Sequence, residues 1–220
     1  DHPITAVSIG TLGDLYQKQG FYQKSEENFT KALEIEEKTL GKDHPEVAKT
    51  LISLGNLYQE KGVYKKAEEN YIRALEIEEK ALGENHPEIA IALISLGDLY
   101  EQQGFYEKAE NKFLRALEIE EKTLGKDHPA VANTLAWLGF LHSNQGQYEK
   151  GENYLLSALL LLSTGFIFAD GHSAAEKEVI SKISEYWDAR NSSDWSSVVA
   201  MSSSTGMLNT NSDGSFHKPK

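Results

Sequence analysis

The chain has 220 residues, no cysteine, and 34 acidic against 22 basic side chains, which gives a formal net charge of −12. The absence of cysteine excludes disulfides, thiolate catalysis and cysteine-ligated zinc. Because an acidic protein is repelled by phosphate backbones and anionic lipid, nucleic acid is not expected among its partners.

The predicted elements come from a motif that recurs along most of the chain. Asp-His-Pro or Asn-His-Pro begins at residues 1, 43, 85 and 127, so the period is 42 residues. Each copy continues with the pattern L-G-x-L-Y-x-x-x-G-x-Y, and the fourth copy has His142 where the others have the first tyrosine. Self-similarity at this period predicts a stack of similar supersecondary units.

Each repeat unit is predicted to be a helix hairpin. In the second unit Asp43, Pro45 and Glu46 supply a capping acceptor, an early proline and an acid in the first turn, which together indicate a helix start. Gly62 is expected to end this helix, and a second helix follows. The apolar residues at helical spacing are Val47, Leu51, Leu54 and Tyr58, then Ala67, Tyr71, Ala74, Leu75 and Ile77. Because one hairpin cannot bury its apolar face alone, neighbouring units must stack.

These units resemble the tetratricopeptide repeat, in the 42-residue form typical of kinesin light chains. The consensus positions fall on Leu54, Gly55, Tyr58, Ala67, Tyr71 and Ala74 and on their equivalents one period away. Ser25 and Gly151 depart from the alanine expected there. The resemblance implies an all-α, right-handed superhelical solenoid of stacked antiparallel hairpins. Its four units are residues 1–42, 43–84, 85–126 and 127–165.

The resemblance also implies a non-catalytic scaffold that binds a peptide or protein in a concave groove lined by the first helix of each hairpin. Carried over to this sequence, the groove residues are Asp14, Gln17, Lys49, Ile52, Asn56, Gln59, Glu60, Ile91, Ile94, Asp98, Glu101, Gln102, Asn133, Ala136, Phe140 and Asn144. Amides can bond an extended peptide backbone, acids favour basic side chains, and Ile52, Ile91 and Ile94 form an expected aliphatic strip. The predicted partner is therefore a peptide with a basic residue and an apolar anchor. The alternative is that these residues form ordinary solvated helix faces.

Neither a catalytic site nor a metal or cofactor site is expected. Four of the seven histidines, His2, His44, His86 and His128, occur once per unit. Packed helices lie roughly 8–10 Å apart, whereas zinc needs ligands at about 2 Å. These histidines are therefore predicted to be helix-start residues, and His142 is predicted to be a packed interior residue. The chain is predicted not to be an enzyme.

The fourth unit loses its charged residues between Tyr154 and Ala169. A helix that is apolar on nearly all sides must be covered. It could be covered by a following segment that caps the stack, or it could lie in a membrane, although sixteen residues fall short of the roughly 20 needed to span one. It could also be the apolar core of a signal-like segment with a cleavage-like site after Ala169. A cytoplasmic location is expected, in spite of this internal signal-like segment.

The remainder of the chain differs in composition from the repeats. Residues 166–175 are a predicted linker, and 176–202 are either a helical cap or the truncated start of a second domain. Its W-x-A-x-N-x-x-D-W sequence resembles the opening of a nuclear-transport-factor-2-like or ketosteroid-isomerase-like domain. The repeats would then be a recruitment module for a truncated ligand-binding or enzymatic domain. Residues 203–220 are a predicted disordered or unpaired tail, and self-association through the open outer face of the first unit is a further expectation.

Overall fold

The computed structural model describes residues 3–167 of the chain. Contacts divide the chain into two units, Asp1–Leu161 and Leu162–Lys220. The second unit lies almost wholly beyond the described residues. The predicted C-terminal helical segment, the tail and the nuclear-transport-factor-2-like resemblance all lie outside the described residues.

Within residues 3–167 the structure consists of eight α-helices and contains no strand. The helices are α1 (Pro3–Lys18), α2 (Tyr22–Thr39), α3 (Pro45–Glu60), α4 (Tyr64–Leu82), α5 (Ile89–Gln102), α6 (Tyr106–Leu124), α7 (Pro129–Asn144) and α8 (Tyr148–Ile167). The first six helices pack as three hairpins, and each hairpin packs against the next. The helices α7 and α8 form the fourth hairpin, in which His142 stacks on Tyr154. This arrangement confirms the predicted all-α solenoid of stacked helix hairpins.

The glycine of each Leu-Gly pair lets the two helices of a hairpin approach closely. A Cβ atom added to Gly55 would lie 2.4 Å from the ring of Tyr71, and one added to Gly97 would lie 2.5 Å from the ring of Phe113. In the fourth hairpin, a Cβ added to Gly151 would lie 2.4 Å from Ser143 Oγ. Gly151 therefore replaces the expected alanine because this helix pair is closer than an alanine side chain would allow.

Histidine, not aspartate, caps the first helix of the second and fourth hairpins. The Nδ1 atom of His44 accepts a hydrogen bond from the backbone N–H of Glu46 at 3.2 Å, and His44 is the N-cap residue of α3. His128, the N-cap residue of α7, makes the same bond at 3.2 Å. His86 also makes it, at 3.3 Å, but α5 begins later, after the N-cap residue Glu88.

The prediction of helix-start residues is therefore confirmed for His44 and His128, and His2 lies outside the described residues. The cap at His44 corrects the prediction that Asp43 supplies the cap, because the Asp43 carboxylate pairs instead with Lys80 of α4.

A polar contact repeats where each hairpin meets the next. The Tyr58 hydroxyl donates to Glu26 at 2.8 Å, and the Tyr100 hydroxyl donates to Glu68 at 2.7 Å. At the last junction His142 takes the place of tyrosine, with its Nε2 3.4 Å from a Glu110 carboxylate oxygen. His142 is fully buried and stacks on Tyr154 with ring centroids 5.4 Å apart. The prediction that His142 is a packed interior residue is confirmed.

The apolar α8 helix keeps large side chains at the surface. Leu159 and Leu162 are 56% and 49% exposed. In the part of the chain that the structure describes, no helix combines the length and the apolar character that crossing a membrane takes.

Candidate peptide-binding groove

The first helices of neighbouring hairpins, α1, α3, α5 and α7, contact one another in that order. Side chains one period apart therefore line up in rows across these helices. One row is Asp14, Asn56, Asp98 and Phe140, and the next is Gln17, Gln59 and Glu101. The rows carry amides, carboxylates and an aromatic ring on one surface.

Six of the predicted groove residues surround one cavity of about 310 Å³. They come from three helices and are Gln17 of α1, Asn56, Gln59 and Glu60 of α3, and Asp98 and Gln102 of α5. Two of the six are carboxylates and four are amides, and none is basic. The cavity is therefore suited to a cationic or hydrogen-bond-donating group.

Amide–carboxylate hydrogen bonds join the first helices across the groove. Gln17 Nε2 donates to Glu60 Oε1 at 2.8 Å, and Gln59 Nε2 donates to Asp98 Oδ2 at 2.5 Å. Gln102 Nε2 also lies 3.2 Å from Asp98 Oδ2. These bonds hold the carboxylates of Glu60 and Asp98 in fixed positions.

A further amide–carboxylate bond continues this network towards α7. Asn144 Nδ2 donates to Glu101 Oε1 at 2.6 Å. Burial raises the pKa of Glu101, the charge of Asp98 raises it further, and the bond from Asn144 opposes both effects. Burial also raises the pKa of Asp14, partly offset by Lys18. These carboxyl groups make the groove surface acidic from α1 to α5.

Tyr71, which the helical spacing of apolar residues predicts only as a core residue, also contacts two residues of the groove. Its ring is fully buried in α4, while its hydroxyl lies 2.6 Å from Asn56 Oδ1 and 2.8 Å from Gln59 Oε1. Burial, with the charges of Asp98 and Glu60, raises the pKa of Tyr71, so its hydroxyl remains a donor. The sequence holds one sign of this role. Residue 71 is a tyrosine, whereas the equivalent positions in the first and third hairpins are Phe29 and Phe113.

The apolar groove positions do not form the continuous strip expected from the sequence. Ile52 is only 9% exposed and packs within the core. Ile94 is half-buried and packs against the same core. Ile91 and Phe140 are 57% and 54% exposed. The accessible apolar groups are therefore on α5 and α7.

The remaining predicted residues lie at the borders of the groove. Lys49 is exposed and forms a 2.8 Å ion pair with Glu46 in its own helix. Asn133 is exposed near the start of α7, and Ala136 is half-buried one turn later. None of these lines the cavity. Among the described residues, no group of three or more histidine, aspartate or glutamate side chains could hold a metal ion.

Solved structures with the same fold include a protein termed BtubC (BKLC) from P. vanneervenii. It is 22% identical, with a TM-score of 0.68, over 99% of this chain and 85% of that one. A Podosopora anserina protein described as a kinesin light chain with nearly identical TPR-like repeats is also 22% identical. Its TM-score is 0.64, over 93% of this chain and 98% of that one. A search of curated proteins finds no significant match.

A protein-family model also matches the amino-acid sequence of the chain. The model described as tetratricopeptide repeat matches three overlapping segments, residues 4–77, 52–122 and 92–163. Tetratricopeptide repeats generally mediate protein–protein interactions and are typically non-enzymatic. The matched segments cover all four hairpins, and the chain therefore belongs to the tetratricopeptide repeat family.

Proposed function

We propose that this chain is a non-catalytic scaffold that binds an extended peptide along its first helices. The observation that carries the proposal is the acidic, amide-lined cavity shared by α1, α3 and α5. A basic side chain of the peptide would enter this cavity and pair with Asp98 and Glu60. Arginine suits the site best, because its planar guanidinium can bond a carboxylate and a neighbouring amide oxygen together.

The exposed ring of Phe140 suggests where the apolar anchor binds. Phe140 occupies the position on α7 that Asp98 occupies on α5, one period earlier. Packed helices lie roughly 8–10 Å apart, and an extended chain advances about 3.3 Å per residue. The basic residue and the anchor would then be separated by about three residues, in the pattern basic-x-x-apolar.

The test is a binding measurement with fluorescent octapeptides of otherwise small polar residues. We expect Arg-x-x-Leu and Lys-x-x-Leu peptides to bind more tightly than Glu-x-x-Leu or Arg-x-x-Ser. Asp98→Ala should lower the affinity for the Arg-x-x-Leu peptide about tenfold, equivalent to about 1.4 kcal/mol. Asn56→Ala should also lower this affinity. Glu118→Ala, which removes an exposed acid of the same charge from α6, is the matched control.

The proposal fails if the full-length chain shows no preference for a basic residue. It also fails if Asp98→Ala and Glu118→Ala bind the Arg-x-x-Leu peptide equally well. A preference for arginine without any preference for leucine would support the acidic cavity as the site of the basic residue. It would contradict the assignment of Phe140 as the site of the apolar anchor.

A further inference from the structure

The turn between the two helices of each of the first three hairpins exposes a large apolar residue. Phe21 is 52% exposed, Val63 is 38% exposed and Phe105 is 50% exposed. The third hairpin has a neighbouring hairpin on each side, so the exposure of Phe105 shows that the stacking of hairpins leaves this position uncovered. A tyrosine follows each of these residues and is 36–37% exposed, namely Tyr22, Tyr64 and Tyr106.

A lysine stands three residues after each of these apolar residues, with its ammonium group over aromatic rings. Lys24 Nζ lies 5.4 Å from the ring centroid of Tyr16 and 5.3 Å from that of Phe21. Lys108 Nζ lies over the two equivalent rings of the third hairpin, at 5.1 and 5.2 Å. Lys66 Nζ lies over the equivalent tyrosine ring of the second hairpin at 4.8 Å. These cation–π contacts hold three ammonium groups in place, and all three lysines remain exposed.

In the part of the chain that the structure describes, these three lysines form no ion pair, although acidic residues outnumber basic ones by 34 to 22. Lys61, near the same turn of the second hairpin, does pair with Glu26. The fourth hairpin differs from the first three, because Gln147 stands where they have the apolar residue. Its equivalent lysine, Lys150, pairs with Glu110 at 2.9 Å. The exposed apolar residue and the lysine without an ion pair therefore occur together in three hairpins and are lost together in the fourth.

We define the turn row as Phe21, Val63 and Phe105 together with Lys24, Lys66 and Lys108. Neighbouring hairpins pack in the same order along the stack, so their turns follow one another along one edge. We propose that the turn row binds an extended acidic segment of a partner protein. Carboxylates of the segment would pair with the lysines, and its apolar side chains would pack on the exposed rings. This site is separate from the groove, because no residue of the turn row lines the cavity there.

The charge of the chain favours an acidic segment over an anionic membrane as the occupant of the turn row. The formal charge of −12 repels an extended anionic surface that faces a whole side of the molecule. A peptide segment contacts the turn row alone. Because the Debye length is about 8 Å at 0.15 M salt, acidic residues farther away are largely screened from such a segment.

The repeat of the hairpins sets the spacing expected in the acidic segment. The first helices of neighbouring hairpins contact one another, and packed helices lie roughly 8–10 Å apart. An extended chain advances about 3.3 Å per residue, so about three residues span one hairpin. The expected pattern is therefore an acidic residue, an apolar residue and a third residue of any type, repeated along the segment.

The test is fluorescence anisotropy of the full chain with a labelled peptide made of three Asp-Leu-Ser triplets. We expect this peptide to bind more tightly than peptides of Asp-Ser-Ser or Ser-Leu-Ser triplets, and its affinity should fall as salt is raised. The double variant Lys24→Gln with Lys108→Gln should lower the affinity about fivefold, as expected for the loss of two exposed ion pairs. Phe21→Gln with Phe105→Gln should also lower it, and glutamine is tolerated at this position because the fourth hairpin has Gln147 there.

Lys31→Gln with Lys122→Gln is the matched control, because it removes the same charge from exposed positions of α2 and α6 away from the turns. This control should leave the affinity for the Asp-Leu-Ser peptide unchanged, and so should Asp98→Ala, which tests the groove. Equal losses in the two lysine double variants would overturn the proposal, because net charge would then explain the binding. The absence of peptide binding also overturns it, whether the same lysines then bind phosphatidylserine vesicles in a sedimentation assay or a second copy of the chain.

Discussion

At the scale of single residues, Tyr71 links the buried core to the groove. The ring fills the same space as Phe29 and Phe113 in the neighbouring hairpins, but its hydroxyl holds the side-chain oxygens of Asn56 and Gln59. A phenol has one proton, so the hydroxyl donates to one of these two oxygens at a time and is a donor that the two amides share. Among the four described hairpins, only the second has a hydroxyl at this position. Its helix α3 also supplies three of the six residues around the cavity.

Tyr71→Phe should therefore weaken peptide binding at little cost to packing. Phenylalanine already fits the equivalent position in two hairpins, so we expect a loss of about 1 kcal/mol in the free energy of unfolding, as for one neutral hydrogen bond. Affinity for the Arg-x-x-Leu peptide should fall severalfold, because Asn56 and Gln59 lose their shared donor. Urea unfolding and fluorescence anisotropy measure the two effects.

Tyr58→Phe is the control for Tyr71→Phe. It removes a hydroxyl that bonds Glu26 at a hairpin junction, away from the cavity. Its unfolding free energy should fall by a similar or larger amount, because hydrogen bonds to charged groups contribute about 1.5–3 kcal/mol. Equal losses of peptide affinity in the two variants would assign the effect to stability and not to the groove.

At the scale of helices, α2, α4 and α6 each bury a glutamate near their last turn. Glu36, Glu78 and Glu120 are 3–4% exposed. The Thr134 hydroxyl donates to Glu120 at 2.7 Å, and the Thr50 hydroxyl bonds Glu36. Ala92 stands at the equivalent position opposite Glu78, which therefore lacks this donor. Burial, together with the charge of Glu88 and against the charge of Lys49, raises the pKa of Glu78 to about 7.

This raised pKa predicts that the chain is more stable in mild acid than at neutral pH. The folded state holds a proton on Glu78 between its ordinary pKa of 4.5 and about 7, while the unfolded state releases it. The free energy of unfolding should therefore fall as pH rises through this window, by up to about 3 kcal/mol. Urea unfolding at a series of pH values from about 4.5 to 8 measures the slope.

Three substitutions assign that slope to Glu78. Glu78→Gln should remove most of it, because glutamine stays neutral at every pH. Ala92→Thr should reduce it by restoring the hydroxyl that Glu36 and Glu120 have. Glu76→Gln, at an exposed position of the same helix, should leave it unchanged. A Glu78→Gln profile as steep as that of the unchanged chain would contradict the assignment.

At the scale of the whole described stack, the sequence predicts the hairpins better than the contacts between them. The Leu-Gly pairs and the helical spacing of apolar residues determine each hairpin locally. The partner of Gln17 is Glu60, on the next hairpin, and depends on small offsets between packed helices. Ile52 is 9% exposed, whereas its equivalent Ile94, one period later on α5, is half-buried. Such contacts are set by neighbouring units and not by local pattern.

Because the contacts of each hairpin are with its neighbouring hairpins, they also predict how the stack unfolds. In the described part of the chain, backbone contacts join each helix to the next and join the first helices of adjacent hairpins. Ion pairs such as Arg115–Glu79 also link the second helices of adjacent hairpins. Stability is then a sum of hairpin and junction contributions, and damage stays local. Leu57 and Leu99 are both fully buried at junctions, the first between hairpins one and two and the second between hairpins two and three.

Leu57→Ala and Leu99→Ala should therefore have different effects on amide hydrogen exchange. Each should cost about 2–5 kcal/mol at its own junction. Leu57→Ala should speed exchange mainly in α1 and α2, because the first hairpin has one described neighbour and loses its contact with it. Leu99→Ala should instead speed exchange mainly in α3 to α6, the two hairpins that meet at the second junction. Exchange that rises uniformly from α1 to α7 in both variants would show instead that the four hairpins unfold as one cooperative unit.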